Sequence, residues 1–150
     1  MIKEIEIDLA EMATKVWELQ MLSYQVEADI IGVQDLPPLL ERAQDIQQSE
    51  EIFYGYYQNK DLAGVISIDW NERVIHITRL MIHPDYFRKG IATQLLTFVS
   101  SLNQQTRMIK VSTALNNEPA VSAYLKQGFK QKTKTYMPEG LWIVSFEKKC

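Results

Sequence analysis

The chain has 150 residues, 46% of them hydrophobic and 23% charged, with only six glycines and five prolines. That is one domain's worth of sequence, able to bury roughly 70% of its extended surface, which excludes a second full domain and wholesale disorder. Nineteen acidic against sixteen basic residues leave a formal charge of -3, which offers no general field to a phosphate backbone, so no nucleic acid partner is expected.

The start, Met1 to Asp8, alternates apolar with charged residues and does not form the apolar core of a signal peptide. A strand is predicted over residues 2–7, at or near a sheet edge. From Leu9 the period changes: Leu9, Met12, Ala13, Val16 and Trp17 recur at three- and four-residue spacing, predicting a helix capped by Asp8 and running to about Tyr24. Gly32 and the pair Pro37-Pro38 then predict a loop over 26–38, and Leu39, Leu40, Ala43 and Ile46 a short second helix. From Ile52 the aromatic and β-branched texture predicts a hairpin turning at Asn59-Lys60-Asp61, followed after Asn71-Glu72-Arg73 by a third strand over 74–82, apolar on both faces and central. A helix opening near Arg88, a strand over 108–113, a helix over 119–127 and a final hairpin over 129–146 complete the chain. The one cysteine, Cys150, is the last residue, and there are two histidines. No disulfide or metal is therefore expected. No apolar run approaches the roughly 20 residues that cross a bilayer; a cytoplasmic location with no membrane partner is expected.

Antiparallel strands followed by strand, helix, strand, helix predict a mixed α/β sheet covered by helices. The stretch from Ile82 to Met108 is long enough for a crossover between parallel strands. The entry of the crossover helix reads Arg88-Lys89-Gly90-Ile91-Ala92. Free N–H groups and the positive helix end favour anionic oxygens there, and Gly90 lets them approach without a Cβ in the way. A second constellation is Asn117, Ala120, Tyr124 and Gly128-Phe129. Ala120, Tyr124 and Gly128 lie four apart, with Asn116 or Asn117 placed to cap the helix that presents them. Each stretch alone is equally compatible with a solvated helix entry or a core tyrosine.

Together the two stretches resemble the GNAT superfamily of acyl-CoA-dependent N-acyltransferases, in strand and helix order over residues 52–146. The resemblance departs at one point: Phe87 stands where the family's pyrophosphate motif carries glutamine or arginine. It implies a GNAT-like fold over residues 1–150, a mostly antiparallel sheet of about seven strands with one splayed parallel pair and about four helices. It also implies acetyl-CoA as acyl donor. Leu80, Met81 and Ile82 would offer backbone to the pantetheine arm. Phe87, Arg88, Lys89, Gly90, Ile91, Ala92 and Thr93 would hold the pyrophosphate, with Asn117 and Tyr124 completing the donor site.

In the implied reaction an acetyl group passes to a primary amine of a small molecule or peptide, with Tyr124 as general acid and an oxyanion donor among the N–H groups near Met81 or Ile82. His76 is the candidate base; strand alternation puts it on the face of Thr78, Leu80 and Ile82, and a plain hydrogen-bonded strand residue is the other reading. Glu27 and Asp29 are candidates for attracting the acceptor's ammonium, against the alternative of solvated loop charges. Polyamines, aminoglycosides, amino acids and protein N-termini all remain open as acceptors, as do acyl transfer to a hydroxyl, a non-catalytic acyl-CoA sensor, and a homodimer.

Overall fold

The computed structural model describes all residues from Met1 to Cys150. Seven strands form one sheet: β1 (Ile2–Ile5), β2 (Ile52–Gln58), β3 (Asp61–Asn71), β4 (Val74–Ile82), β5 (Met108–Ala114), β6 (Lys130–Tyr136) and β7 (Trp142–Lys149). Their spatial order is β1-β2-β3-β4-β5-β7-β6. Every neighbouring pair is antiparallel except β4 and β5, so the mixed sheet expected from the sequence is the one observed, with β1 at one edge.

Four α-helices cover the sheet: α1 (Ala10–Ile31), α2 (Ala43–Gln47), α3 (Ile91–Ser100) and α4 (Glu118–Lys126). Ala13, Val16 and Leu19 of α1 and Ile46 of α2 pack with Ile5, Phe53, Val65 and Met81 in one core cluster. Ile91, Leu95, Leu96 and Val99 of α3 and Tyr124 of α4 pack with Ile66, Ile75, Ile77, Val111 and Phe146 in the other. Each fully buried aliphatic side chain of this kind contributes about 1.5–3 kcal/mol.

Three local expectations are corrected. Helix α1 does not end near Tyr24; it runs through the stretch predicted as loop, to Ile31, and stops at Gly32, whose left-handed φ of 76° closes it with an N–H bond to the Ala28 carbonyl. Its start is not capped by Asp8: Leu9 holds the cap position without a side-chain bond, and the Asp8 carbonyl instead accepts from Gln47 Nε2 at 2.8 Å. The predicted second helix is divided into a 3-10 turn over Pro37–Leu40 and the five-residue α2, with Glu41 and Arg42 in extended conformation between them.

Candidate active site

The parallel pair is short. Strands β4 and β5 are in register from Val74 and Met108 only to His76 and Lys110, while β4 runs on to Ile82 and β5 to Ala114. A wedge therefore opens between their C-terminal ends. It leads into a cavity of about 990 Å³ walled by α1, β4, the entry of α3, β5, α4 and the turn between β6 and β7.

The direction of the β4 backbone follows from its register. Ser67 faces Arg79 and Ile68 faces Ile77, so Thr78 is an extra, bulged residue. The bulge reverses the alternation: Leu80 and Ile82 pack on the same side as Ile75 and Ile77, not on the side of His76, contrary to the expected common face. His76 is exposed and does not line the cavity. The His83 N–H donates to the Ala63 carbonyl at 2.8 Å, so by alternation the Met81 N–H also points to β3, and the Leu80 and Ile82 N–H groups face the wedge. There the Ile82 N–H meets Ser23 Oγ at 3.3 Å, with Tyr24 beside it on the same wall. Met81 itself is fully buried on the α1 side.

Beyond β4, a 3-10 turn over Pro84–Tyr86 leads to a loop with two left-handed residues, Arg88 at φ 63° and Gly90 at φ 75°. Nothing lies within 4 Å of where a Cβ on Gly90 would stand. The N–H groups from Arg88 through Thr93 donate to no backbone or side-chain acceptor of the protein: the first bond of α3 is from Gln94 to the Gly90 carbonyl. Six consecutive unsatisfied donors, two of them on left-handed residues, at the positive end of α3, form an anion-binding concavity. Phe87, Arg88, Gly90, Ile91, Ala92 and Thr93 line the cavity; Lys89 does not, and its ammonium sits 5.4 Å from the Tyr86 ring centroid.

On the opposite wall Asn117 caps α4, its Oδ1 accepting from the Ala120 N–H at 3.3 Å, while its Nδ2 donates to Glu27 Oε1. Tyr124, two turns on, is 5% exposed, with its ring against Phe129 and Phe146 at centroid distances of 5.7 and 5.6 Å. Its hydroxyl makes no hydrogen bond, and neither does Glu27 Oε2. Because Thr106 Oγ1, far from this wall, is the one sealed side-chain polar atom without a partner, both groups are open to the cavity they line. Burial, and then the Glu27 charge, push the Tyr124 hydroxyl well above the usual phenol range. Burial likewise raises Glu27 above an ordinary glutamate, against the Asn117 hydrogen bond. Tyr24 is raised by burial and by Glu27 and Tyr124. Asp29 is exposed, accepts from Gln25 on the next turn and lies off the cavity.

Sequence reasoning missed Ser23 and Tyr24, which became legible as wall residues only once α1 was known to continue: Ser23, Tyr24, Glu27, Ile30 and Ile31 repeat at helical spacing. It also missed Arg79, which bonds to Gln20, Glu41 and Glu51 behind this wall. A second hollow of about 610 Å³, lined by Arg73, Arg107 and Lys149, lies at the paired end of β4 and β5, away from these groups. No cluster of three or more histidine, cysteine or acidic side chains is arranged to hold a metal, and no helix is long and apolar enough to cross a membrane.

Residues 38–150 match the family described as acetyltransferase (GNAT) domain. The chain belongs to the GNAT acetyltransferase family. Its splayed pair, bulged β4 and glycine-containing entry to α3 are thus features of an acetyltransferase domain. A curated relative, the UPF0157 protein YqkA of Bacillus subtilis, is 41% identical over 146 residues, 97% of this chain and 43% of that protein, so the chain spans less than half of the relative's length. The fold is shared with an acetyltransferase from Thermus thermophilus (TM-score 0.80, 15% identity, 100% of this chain and 97% of that one). It is also shared with the PaiA N-acetyltransferase of Thermoplasma acidophilum solved in complex with coenzyme A (0.78, 19%, 100% and 98%). The ribosomal-protein-S18-alanine N-acetyltransferase of Escherichia coli is similar as well (0.78, 14%, 99% and 92%).

Proposed function

We propose that the chain transfers an acetyl group from acetyl-CoA to a primary amine at the wedge between β4 and β5. The observation that carries this reading is the pairing, in one cavity, of the run of unsatisfied N–H donors at the entry of α3, five of whose six residues line it, with the unbonded Tyr124 hydroxyl across from them. The donor run from Arg88 to Thr93, with the Arg88 guanidinium beside it, fits a pyrophosphate, and the open side of Gly90 fits its close approach. Phe87 offers no side-chain donor, and main-chain donors suffice at that point. When bound, acetyl-CoA supplies an activated thioester carbonyl.

Three demands follow from attack by an amine: the nitrogen must be neutral, the tetrahedral oxyanion must be stabilised, and the departing thiolate must gain a proton. The Leu80 N–H, turned into the wedge by the Thr78 bulge, is the oxyanion donor; the Ile82 N–H already donates to Ser23 Oγ, and the Met81 N–H is turned to β3. Tyr124 is the acid. Its raised pKa keeps it protonated, but transfer to a thiolate, whose conjugate acid titrates near 8.5 for a simple thiol, is uphill alone. The hydroxyl therefore gives its proton to sulfur as it regains one from the nitrogen of the adduct. The C–N bond forms, the C–S bond breaks and Tyr124 ends as it began. His76, exposed and on the other face of β4, has no part in this scheme.

Tyr124→Phe tests it, since the ring and its packing on Phe129 and Phe146 stay and only the hydroxyl goes. With an amine acceptor, kcat should fall by roughly 10-fold to 10³-fold while calorimetric acetyl-CoA affinity holds, because the interaction grows only in the transition state. Wild-type kcat with phenylalanine at 124 would remove the acid role. Acetyl-CoA binding with no amine-dependent thiol release in the unaltered protein would leave a binding module in place of an enzyme.

A further inference from the structure

Resting on that reading, we propose that Glu27 receives the acceptor's ammonium and takes its proton, and that the acceptor is a primary amine bearing one positive charge on an apolar body. Glu27 lies on the part of α1 that precedes the family-matched residues 38–150. It reaches across the cavity to the cap of α4, so its position is fixed from both walls. One oxygen is held by Asn117, and the other accepts from nothing and is open to the cavity. A carboxylate held on one side and free on the other can take a single N–H donor of an ammonium.

The charges around it narrow the choice further. Of the other carboxylates lining the cavity, Asp35 and Glu139 are exposed at its rim. Among the cations, Arg79 is already bonded to Glu41 and Glu51, and Arg88 and Lys126 are exposed. The neutral hydroxyls of Tyr24 and Tyr124, and that of Tyr86, which donates to Asp61 at 3.0 Å, complete the titratable groups lining the cavity. The remaining acceptor wall is apolar: Ile30, Ile31, Val33 and Leu36 from the end of α1 and its loop, Met137 and Leu141 from the turn between β6 and β7. A second ammonium within a few bonds of the first, as in a polyamine or aminoglycoside, would be buried against that wall without a partner, at large cost, because Asp35 and Glu139 stand only at the exposed rim.

The proton balance closes. Glu27 takes one proton from the ammonium, leaving the neutral amine that attacks; the second nitrogen proton returns to Tyr124 as Tyr124 protonates sulfur. One proton per turnover leaves through Glu27. Burial raises Glu27 towards the amine's own range, which makes that first transfer less uphill than for an ordinary glutamate.

Glu27→Gln keeps an oxygen for Asn117 and removes only the charge. Two probes of one shape, 2-phenylethylamine and 2-phenylethanol, are titrated into the CoA complex of both proteins. The substitution should weaken the amine by about 10-fold to 100-fold, the range of a hydrogen bond to a charged group, and leave the alcohol unchanged. With acetyl-CoA, kcat/KM for the amine should fall by about 10²-fold or more. The unaltered protein should show kcat/KM falling with acidity through a limb above the ordinary glutamate range, as Glu27 protonates, and the variant should lack that limb. Spermidine should be a poorer acceptor than the monoamine. Equal weakening of amine and alcohol, an unchanged acid limb, or a preference for spermidine would overturn the assignment. If Glu27→Gln does not fold, the acid limb of the unaltered protein and the spermidine comparison still decide it. Amine turnover that survives in Glu27→Gln defeats this inference alone; amine binding to the unaltered protein without any turnover defeats the acyltransfer reading and leaves the ammonium site standing.

Discussion

Arg79 shows how a single residue ties the acceptor wall to the sheet. Its guanidinium donates to Glu51 from Nε and Nη2, each at 3.0 Å, to Glu41 from Nη1 at 2.9 Å and Nη2 at 3.1 Å, and to Gln20 at 2.7 Å. One cation thus joins β4 to α1 and to the segments on either side of α2. Burial alone would raise the Glu51 carboxyl; hydrogen bonds from Arg79, Thr78 and Ser49 overcome it and hold the group down at about 2. A carboxyl depressed in the folded state stabilises the fold above its unfolded pKa, and that stability is lost as pH falls through the folded value. With the Glu51 side chain 16% exposed, Glu51→Gln should cost about 3 kcal/mol near pH 7, and the difference should shrink as pH falls from about 4.5 towards 2. Urea denaturation of both proteins across that range measures it; a difference independent of pH would contradict the assignment. None of this network was legible in the sequence, because its members lie far apart in the chain and only folding joins them. Asn117, Gly90 and Tyr124 were legible because each local pattern fixes its own geometry. The face of His76 was misjudged because a bulge at Thr78 leaves no trace in side-chain alternation.

At the scale of elements, the site depends on α3 lying close over β3. A Cβ added to Gly64 of β3 would stand 2.9 Å from Ile91 Cγ2, 3.1 Å from Ile82 Cδ1 and 3.3 Å from Leu95 Cδ1, so a side chain there must push the entry of α3 and the end of β4 apart. Gly64→Val should cost about 1–3 kcal/mol of stability, the usual range for overpacking. It should also weaken CoA binding, since the displaced residues hold the donor loop and one edge of the wedge. Thermal denaturation and calorimetry together check this, and lost stability with unchanged CoA affinity would show that the two elements are not coupled. The order and kind of the strands were readable from alternation and turn residues, but the end of α1 was not. Tyr24, Glu27, Ile30 and Ile31 face a cavity instead of a core, so the mixed polar and apolar stretch resembles a loop when apolar periodicity is the only guide.

For the whole molecule, two core clusters on either side of one sheet build a scaffold whose order of elements is that of an acetyltransferase domain. The sheet is continuous everywhere except at the open end of β4 and β5, and the free main-chain donors, the buried Tyr124 hydroxyl and the Glu27 carboxylate all converge on that opening. The proposed transfer requires acyl-CoA to bind at this opening. The most direct measurement is the melting temperature of the protein and of Gly90→Glu with acetyl-CoA at about 100 times its dissociation constant. A ligand bound only by the folded state then adds about 2.7 kcal/mol, or a rise of roughly 5–10 °C for a domain of this size. The unaltered protein should show that rise. Gly90→Glu, which sets a side chain and a negative charge against the run of N–H donors, should fold and show none. An equal rise in a folded Gly90→Glu variant, or no rise in the unaltered protein, would contradict the account.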